Sequence, residues 1–258
     1  MCLILIAYQS HPHYRLLIAG NRDEFHERPT APLAFWDDAP DVLAGRDLKE
    51  GGTWMGITRT GRFAAITNYR DPARLLPHAP SRGRLVSDYL RGAEPARAYL
   101  DRLLPRFADY NGFNLLLGDA EGLLYYSNYT DQPPLALAPG LYGLSNHLLD
   151  TPWPKLERGR RGLQQLLGSE SGPTATGLLR VLEDRTMAPD AALPDTGVPL
   201  EWERWLSPIF IATPSYGTRS STALLIDQYH EVQILEKTWA DGSVREFRLR
   251  WPFVQQAL

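Results

Sequence analysis

The chain has 258 residues, of which 43% are hydrophobic, and its 27 basic and 30 acidic residues give a net charge of −3 without charged blocks. This balance argues against a nucleic-acid or anionic-membrane partner, and the single cysteine excludes an intrachain disulfide and any multi-cysteine metal site. No stretch approaches the roughly 20 apolar residues of a membrane span, and no basic segment precedes the short apolar opening, so we expect one cytoplasmic domain over residues 1–258.

Apolar runs of strand length recur along the chain, and many connections between them contain Gly, Asn or Asp, which is typical of hairpins. The predicted strands are Cys2–Tyr8, Arg15–Ala19, Thr53–Thr58, Arg62–Thr67, Phe113–Leu117, Leu123–Ser127, Leu141–Leu144, Pro208–Ala212, Ala223–Ile226, Val232–Lys237 and Arg245–Arg250. Helical periodicity predicts helices over Arg84–Arg91, Pro95–Tyr110, Pro154–Leu167 and Thr174–Asp184. This order, in blocks of strands and blocks of helices, predicts an α+β fold. The proline-rich segment Met187–Glu203 is predicted to run over the surface.

Cys2 directly follows the initiator methionine and begins the first apolar run. If Met1 is removed, a thiol and a free α-amine share one residue, and the amine can act as the general base for the thiol. Their ordinary pKa values, about 8.5 for the thiol and about 7.7 to 8.0 for the amine, lie near neutrality. The structural alternative is that Cys2 is a small buried hydrophobic residue at the start of a strand.

A polar cluster, Asn21-Arg22-Asp23-Glu24, follows the predicted strand Arg15–Ala19 and is expected to form a tight hairpin return. A guanidinium beside carboxylates can orient an α-amine and lower the pKa of a thiol. The alternative is a turn closed by Asn and Asp with solvated charges.

Three further polar residues lie at the ends of apolar runs, namely Asn68, Asn146 and Arg219. An asparagine amide donates hydrogen bonds without carrying charge, which suits the oxyanion of a tetrahedral intermediate. Each of them alone is also typical of a turn.

Several ordered blocks of sequence resemble one known family. The blocks are Met1-Cys2-Leu3-Ile4, Leu17-Ile18-Ala19-Gly20-Asn21-Arg22-Asp23-Glu24-Phe25 with Arg28-Pro29, Gly45-Arg46-Asp47, Gly51-Gly52-Thr53-Trp54-Met55-Gly56-Ile57, Ala65-Ile66-Thr67-Asn68-Tyr69-Arg70, Ser81-Arg82-Gly83-Arg84-Leu85-Val86, Tyr110-Asn111-Gly112-Phe113-Asn114-Leu115-Leu116, Gly143-Leu144-Ser145-Asn146 and Thr218-Arg219-Ser220-Ser221-Thr222. In this order they are similar to the NRDE family, also called the Transport and Golgi organization protein 2 family.

The resemblance implies a four-layer αββα sandwich of two antiparallel sheets flanked by helices, as in N-terminal-nucleophile hydrolases. The more distantly related cholylglycine and penicillin V amidases place an N-terminal cysteine, an Arg/Asp pair, two asparagines and a late arginine around one pocket. Carried onto this chain, the implied catalytic residues are Cys2, Asp23, Asn68, Asn146 and Arg219. The early arginine departs from that pattern, because Arg22 is the direct neighbour of Asp23 rather than three residues before it.

The first functional hypothesis is a cysteine amidohydrolase that cleaves a non-peptide carbon–nitrogen bond once Met1 has been removed. The Cys2 thiolate attacks the carbonyl, Asn68 stabilises the oxyanion, Asn146 and Asp23 hold the amine, and Arg219 supports the thiolate. The residues expected to support the site or bind substrate are Asn21, Arg22, Glu24, Trp54 and Tyr69. Neither a metal nor a cofactor is required.

The second hypothesis is a carrier that binds a small molecule in the same pocket without transforming it. The resemblance implies haem, acyl-CoA or a lipid as the ligand. Trp36, Trp54 and Tyr69 are candidate lining residues, and core packing explains them equally well. His26 and His147 are the candidate ligands of a haem iron, although each also fits an ordinary surface or packing role. A purely structural scaffold has no repeat, heptad or charged tail in its favour.

Overall fold

The computed structural model describes residues 2–252, which form two antiparallel sheets with flanking helices. The strands are β1 (Cys2–Tyr8), β2 (Tyr14–Phe25), β3 (Thr30–Trp36), β4 (Ala39–Asp47), β5 (Met55–Thr58), β6 (Phe63–Asn68), β7 (Phe113–Asp119), β8 (Gly122–Ser127), β9 (Leu135–Ala136), β10 (Gly140–Leu144), β11 (Tyr216–Asp227), β12 (Glu231–Thr238) and β13 (Val244–Arg250). The α-helices are α1 (Gly83–Arg91), α2 (Ala96–Leu103), α3 (Pro154–Leu167), α4 (Ala175–Val181) and α5 (Leu200–Trp205). Short 3₁₀ turns cover Pro72–Arg74, Leu104–Asp109 and Asp190–Ala192.

The two sheets are each covered by helices on the outer side. One sheet has the strand order β10-β1-β2-β11-β12-β13 and packs against α3 and α4. The other has the order β3-β4-β5-β6-β7-β8-β9 and packs against α1 and α2. The α+β class and the four-layer sandwich of antiparallel sheets are therefore confirmed. No helix within residues 2–252 has the length and apolar character needed to cross a bilayer.

The first strand shows how the sequence divides the interior into layers. Its side chains alternate, so that Ile4 and Ile6 pack between the two sheets, whereas Leu3 and Leu5 pack under α3 and α4. A strand that is buried on both faces has a continuous run of apolar residues, which explains the composition of β1. Because Cys2 has the same parity as Ile4, its side chain also lies in the layer between the sheets.

Strand β2 corrects the expected hairpin return after Ala19. The strand continues to Phe25 because β11 pairs with it along its whole length, with Asn21 opposite Ser221 and Asp23 opposite Thr218. The polar cluster is thus part of a central strand, and its side chains are buried or half-buried rather than solvated in a turn. Hydrogen-bond partners from distant parts of the chain make this placement stable.

Other elements differ from the pattern-based prediction. Strands β3 and β4 were not predicted, since prolines and irregular alternation hide them, and their pairing contains register shifts. The predicted strand Pro208–Ala212 is wrong, because only one isolated bridge forms there, at Ala212. The predicted helix Pro95–Tyr110 splits into α2 and a 3₁₀ turn at Pro105.

Candidate active site

Cys2 is the first residue of β1, and its side chain lines a cavity at one end of the two sheets. Arg22 of β2 is its register partner, and β10 flanks β1 on the other side. The residue is 7% exposed, and the cavity has a volume of about 320 Å³. A single thiol therefore sits at the base of a pocket large enough for a small organic molecule.

The surroundings of Cys2 act on its thiol in opposite directions. Burial raises the pKa of the thiol above its ordinary value, and the carboxylate of Asp23 raises the pKa further. The guanidinium of Arg22 lowers it. In the structure described here the protonated thiol is the favoured form at neutral pH, so a nearby base is needed to generate the thiolate.

Asp23 lies beside Cys2 and lines the cavity, although it has the same strand parity as Ala19, which packs in the helix layer. The hydroxyl of Thr218 donates to its Oδ1 at 2.7 Å, and the hydroxyl of Tyr216 donates to its backbone carbonyl at 3.0 Å. Burial raises the pKa of Asp23, while the ammonium of Lys155 and the hydrogen bond from Thr218 lower it. These contacts fix the carboxyl at the end of β2, level with the start of β1.

Asn21 is on the helix side and does not line the cavity. Its Nδ2 donates to the carbonyls of Leu182 at 3.0 Å and Ile209 at 2.9 Å, and its Oδ1 accepts from the hydroxyl of Ser221 at 2.6 Å. The structure therefore gives Asn21 an anchoring role, in which it ties β2 to the segments that follow α4 and α5.

Asn68 and Asn146 approach Cys2 from the two different sheets. Asn68 ends β6 and lines the cavity, and within residues 2–252 its side-chain amide has no hydrogen-bond partner. Asn146 follows β10, and its Nδ2 donates to the backbone carbonyl of Asn68 at 3.0 Å. Next to it, the hydroxyl of Ser145 donates to the carbonyl of Cys2 at 3.1 Å. Asn146 thus joins the sheets at the site, while the amide of Asn68 keeps its donors available.

Arg219 reaches the cavity through a β-bulge. The pairing of β11 with β2 shifts between Thr218 and Ser220, which leaves Arg219 as the additional residue. Its Nη1 donates to the carbonyls of Phe25 at 2.6 Å and Arg28 at 3.1 Å. The guanidinium is therefore held at the rim of the cavity, above the end of β2.

The remaining predicted residues divide into two groups. Glu24 and Trp54 line the cavity, and Trp54 packs over Gly20, where an added Cβ would lie 3.0 Å from its Cη2. Tyr69 does not line it; its ring stacks on Tyr129 with a centroid separation of 3.8 Å. Trp36 does not line it either; its Nε1 donates to the carbonyl of Ala44 at 3.1 Å. Of the three predicted aromatic side chains, the cavity wall therefore includes Trp54.

The two candidate haem ligands are outside the cavity. The Nδ1 of His147 is 2.8 Å from the hydroxyl of Thr151, and the Nε2 of His26 is 3.0 Å from the carbonyl of Thr213. Neither ring lines the pocket of Cys2. Across the described part of the chain, no group of three or more His, Cys, Asp and Glu residues is arranged to hold a metal ion.

Three charged residues near Cys2 had no role assigned from the sequence. Arg82 lines the cavity from the loop before α1, and Glu236 lines it from β12. Lys155 of α3 is buried behind Asp23, and its Nζ donates to the carbonyl of Leu206 at 3.1 Å. For two of them, the sequence spacing indicates burial. Lys155 is four residues before the buried Gly159 on the same helix face, and Glu236 is two residues after the buried Ile234 on the same strand face.

A second cavity, of about 990 Å³, lies at the opposite end of the two sheets. Its lining includes Tyr8 at the far end of β1, together with Leu16, Phe63, Leu123 and Trp251. None of the predicted catalytic residues lines it. The chemistry-bearing side chains are therefore gathered at the smaller cavity.

The sequence of this chain is similar to that of known proteins along almost its whole length. A family model described as Transport and Golgi organisation 2 matches residues 1–241. The Transport and Golgi organization protein 2 homolog of Bos taurus is 36% identical over 97% of this chain and 100% of that protein. The Homo sapiens homolog is 35% identical over 97% of this chain and 97% of that protein.

A solved structure is similar in fold. The Caenorhabditis elegans N-acylethanolamine-hydrolyzing acid amidase ortholog has a TM-score of 0.51 at 10% identity, over 87% of this chain and 92% of that chain. This likeness shows the N-terminal-nucleophile hydrolase fold, in which two antiparallel sheets lie between layers of helices. The predicted resemblance is confirmed along nearly the whole sequence, and the chain belongs to the Transport and Golgi organisation 2 family.

Proposed function

We propose that the protein is an N-terminal cysteine hydrolase that cleaves a non-peptide carbon–nitrogen amide bond after removal of Met1. The observation that carries the proposal is the convergence of Cys2, Asp23 and Asn68 at one end of the sheets, where β1 begins. A nucleophile, an acidic group and an amide donor come from three different strands to one pocket. The fold shared with an amidase fits this chemistry, although fold alone does not establish function.

The reaction begins at the Cys2 thiol. Once Met1 has been removed, the α-amine of Cys2 takes the thiol proton, and the sulfur attacks the substrate carbonyl to form a tetrahedral intermediate. In this proposal, Asp23 holds the resulting ammonium group. The amide of Asn68 donates to the oxyanion, where a donor contributes most to catalysis.

Collapse of the intermediate completes the transfer. The ammonium group gives its proton to the leaving nitrogen, the carbon–nitrogen bond breaks, and a thioester forms at Cys2. Water, deprotonated by the same amine, then attacks the thioester and releases the acid and the free thiol. Asn146 and Ser145 act indirectly, by holding the backbones of Asn68 and Cys2 in place.

Intact mass spectrometry with a thiol-directed acylating probe tests the proposal. We expect a mass without methionine and a single adduct on Cys2, and we expect Cys2→Ser to abolish both the adduct and amide turnover. A carrier of haem, acyl-CoA or lipid would instead retain ligand binding in Cys2→Ser. Retention of Met1 in an otherwise folded, purified protein would contradict the hydrolase mechanism.

A further inference from the structure

Three arginines at the Cys2 cavity have no carboxylate partner. Arg28 and Arg46 line the same cavity, but they form ion pairs with Asp47 at 2.6 Å and Asp38 at 2.7 Å. In contrast, no ion pair within residues 2–252 includes the three remaining lining arginines, which are Arg22, Arg82 and Arg219. The cavity thus holds positive charge that the protein does not neutralise by direct pairing.

Arg22 is the residue nearest to the nucleophile in strand register. It lies directly opposite Cys2, and it is 8% exposed. Its Nη1 is buried and has no hydrogen-bond partner within the described residues. A buried cationic donor without an acceptor is unfavourable, so this side chain is suited to receive an anion from a ligand.

Arg82 approaches the same place from the other sheet's helix layer. Its Nη1 donates to the carbonyl of Gly112 at 2.8 Å, and its guanidinium makes no other hydrogen bond to the residues between 2 and 252. Its position depends on a close backbone contact, because a Cβ at Gly52 would lie 2.6 Å from the carbonyl carbon of Gly83. Burial lowers the pKa of Arg82, and the proximity of Cys2 raises it.

Five acidic residues also line the cavity, but within residues 2–252 none of them forms an ion pair with Arg22, Arg82 or Arg219. Glu236 accepts from the backbone N–H of Leu33 at 2.7 Å; burial raises its pKa, and the guanidinium of Arg22 lowers it. Glu24 accepts from the N–H of Phe25 and lies 3.9 Å from the Nε of Arg28. Asp23 also lines the cavity, where its Oδ1 accepts from the hydroxyl of Thr218 at 2.7 Å.

We propose that the substrate cleaved at Cys2 is a small amide that carries a carboxylate, which Arg22 and Arg82 bind. This inference rests on the proposed function, since it names the substrate class of the same site. The planar fork of an arginine matches a carboxylate with two parallel hydrogen bonds. A cavity of about 320 Å³ fits a compact acid rather than a long chain.

Two thiol reagents that differ in one group test the inference. Iodoacetate and iodoacetamide both alkylate a thiolate with loss of iodide, but only iodoacetate carries a carboxylate. We measure the rate of alkylation of Cys2 by each reagent in the purified full chain. The rate with iodoacetate is divided by the rate with iodoacetamide, and this ratio is normalised to the same ratio for free N-acetylcysteine. We expect a normalised preference for iodoacetate of about tenfold, which one charge-assisted hydrogen bond supplies.

Variants assign the preference to the arginines. Arg82→Met should lower the normalised preference for iodoacetate at least about threefold. Arg97→Met removes one charge from an exposed position of α2 and should leave the preference unchanged. If Arg82→Met does not fold, the test uses the wild-type protein and measures how well small acids protect Cys2 from alkylation. N-acetylglycine should then slow the reaction with iodoacetamide, and N-acetylglycinamide should not. Inorganic phosphate is included as a second anion, and protection by phosphate alone would overturn the carboxylate assignment.

The outcomes separate this inference from the proposed function. A normalised ratio near one, or a ratio that Arg82→Met does not alter, overturns the carboxylate site even if Cys2 proves to be catalytic. A strong preference without any amide turnover supports the carboxylate site and contradicts the hydrolase. If Cys2 reacts with neither reagent, the pocket is closed to small acids and the inference fails.

Discussion

Replacement of Glu203 by Gln is expected to destabilise the protein strongly, although Glu203 is outside the candidate site. Its Oε2 is 2.7 Å from the Nη1 of Arg70, and the two side chains are 3% and 6% exposed. Its Oε1 accepts hydrogen bonds from the backbone N–H and the hydroxyl of Thr196. Arg70 follows β6 closely, and its N–H donates to the carbonyl of Asn146 at 2.8 Å. The ion pair therefore fixes α5 against the segment that follows Asn68 and is hydrogen-bonded to Asn146.

The magnitude follows from the burial of both partners. Breaking a buried ion pair by removing one charge costs about 3–5 kcal/mol, because the remaining charge stays buried without its partner. For a domain of this size, each kcal/mol lowers the melting temperature by roughly 2–4 °C, so Glu203→Gln should lower it by about 10 °C. The double variant Arg70→Met/Glu203→Leu should recover much of this loss, since it leaves no buried charge behind.

Urea denaturation of the wild type, Arg70→Met, Glu203→Leu and the double variant gives the coupling energy, and Glu203→Gln is measured beside them. A matched control is available on the same helix, because the neighbouring Arg204 pairs with Asp190 on the surface, where the side chains are 43% and 55% exposed. Asp190→Asn should leave the urea midpoint almost unchanged, because solvent screens this exposed pair. The reasoning is refuted if Glu203→Gln costs no more than Asp190→Asn, or if the double variant is as unstable as the single one.

Three further predictions concern the site directly. Burial lowers the pKa of Lys155 from 10.5 to about 8. Between these two pH values the unfolded chain binds more protons than the folded one. The free energy of unfolding should therefore rise with pH over this interval, by up to about 3 kcal/mol. In Lys155→Met, urea denaturation at pH 7.5 and 10 should show that this rise is lost. Asn68→Ala should slow the acylation of Cys2 by p-nitrophenyl acetate about 100-fold, because an oxyanion donor is lost. Alkylation by iodoacetamide forms no oxyanion, so its rate should change little. An equal loss of rate in both reactions would contradict the oxyanion role. Gly20→Ala should destabilise the protein by about 1–3 kcal/mol in thermal melts, since the new Cβ meets Trp54 at 3.0 Å; an unchanged melting temperature would contradict the close contact.

The sequence predicts the elements whose own residues determine them. A run of seven apolar residues places β1, and Cys2 with it, because both faces of that strand are buried. The same reasoning fails for the second half of β2, where Asn21 and Asp23 are polar and locally typical of a turn. Their strand conformation depends on partners about 160 to 200 residues away in the sequence, such as Leu182 and Ser221. Local patterns carry no information about such partners.

The site shows the same limit. Arg219 belongs to a matched motif, yet its access to the cavity depends on a bulge in the pairing of β11, which no local pattern indicates. The local sequence around Lys155 is typical of an ordinary helix, and only its spacing from Gly159 indicates burial. The charges that act on Lys155, including those of Asp23 and Glu203, come from elsewhere in the chain. Arg82 was visible as part of a motif, but its role depends on the position of its guanidinium.

The two cavities at opposite ends of the sheets affect how any ligand of this protein should be studied. Strand β1 connects them, with Cys2 at one end and Tyr8 at the other, a separation of about 20 Å for seven extended residues. A thermal-shift or equilibrium-binding signal averages over both compartments, and the larger one contains no predicted catalytic residue. Competition with a label on Cys2 reports the reactive end alone, so a ligand that stabilises the fold without protecting Cys2 is assigned to the far end.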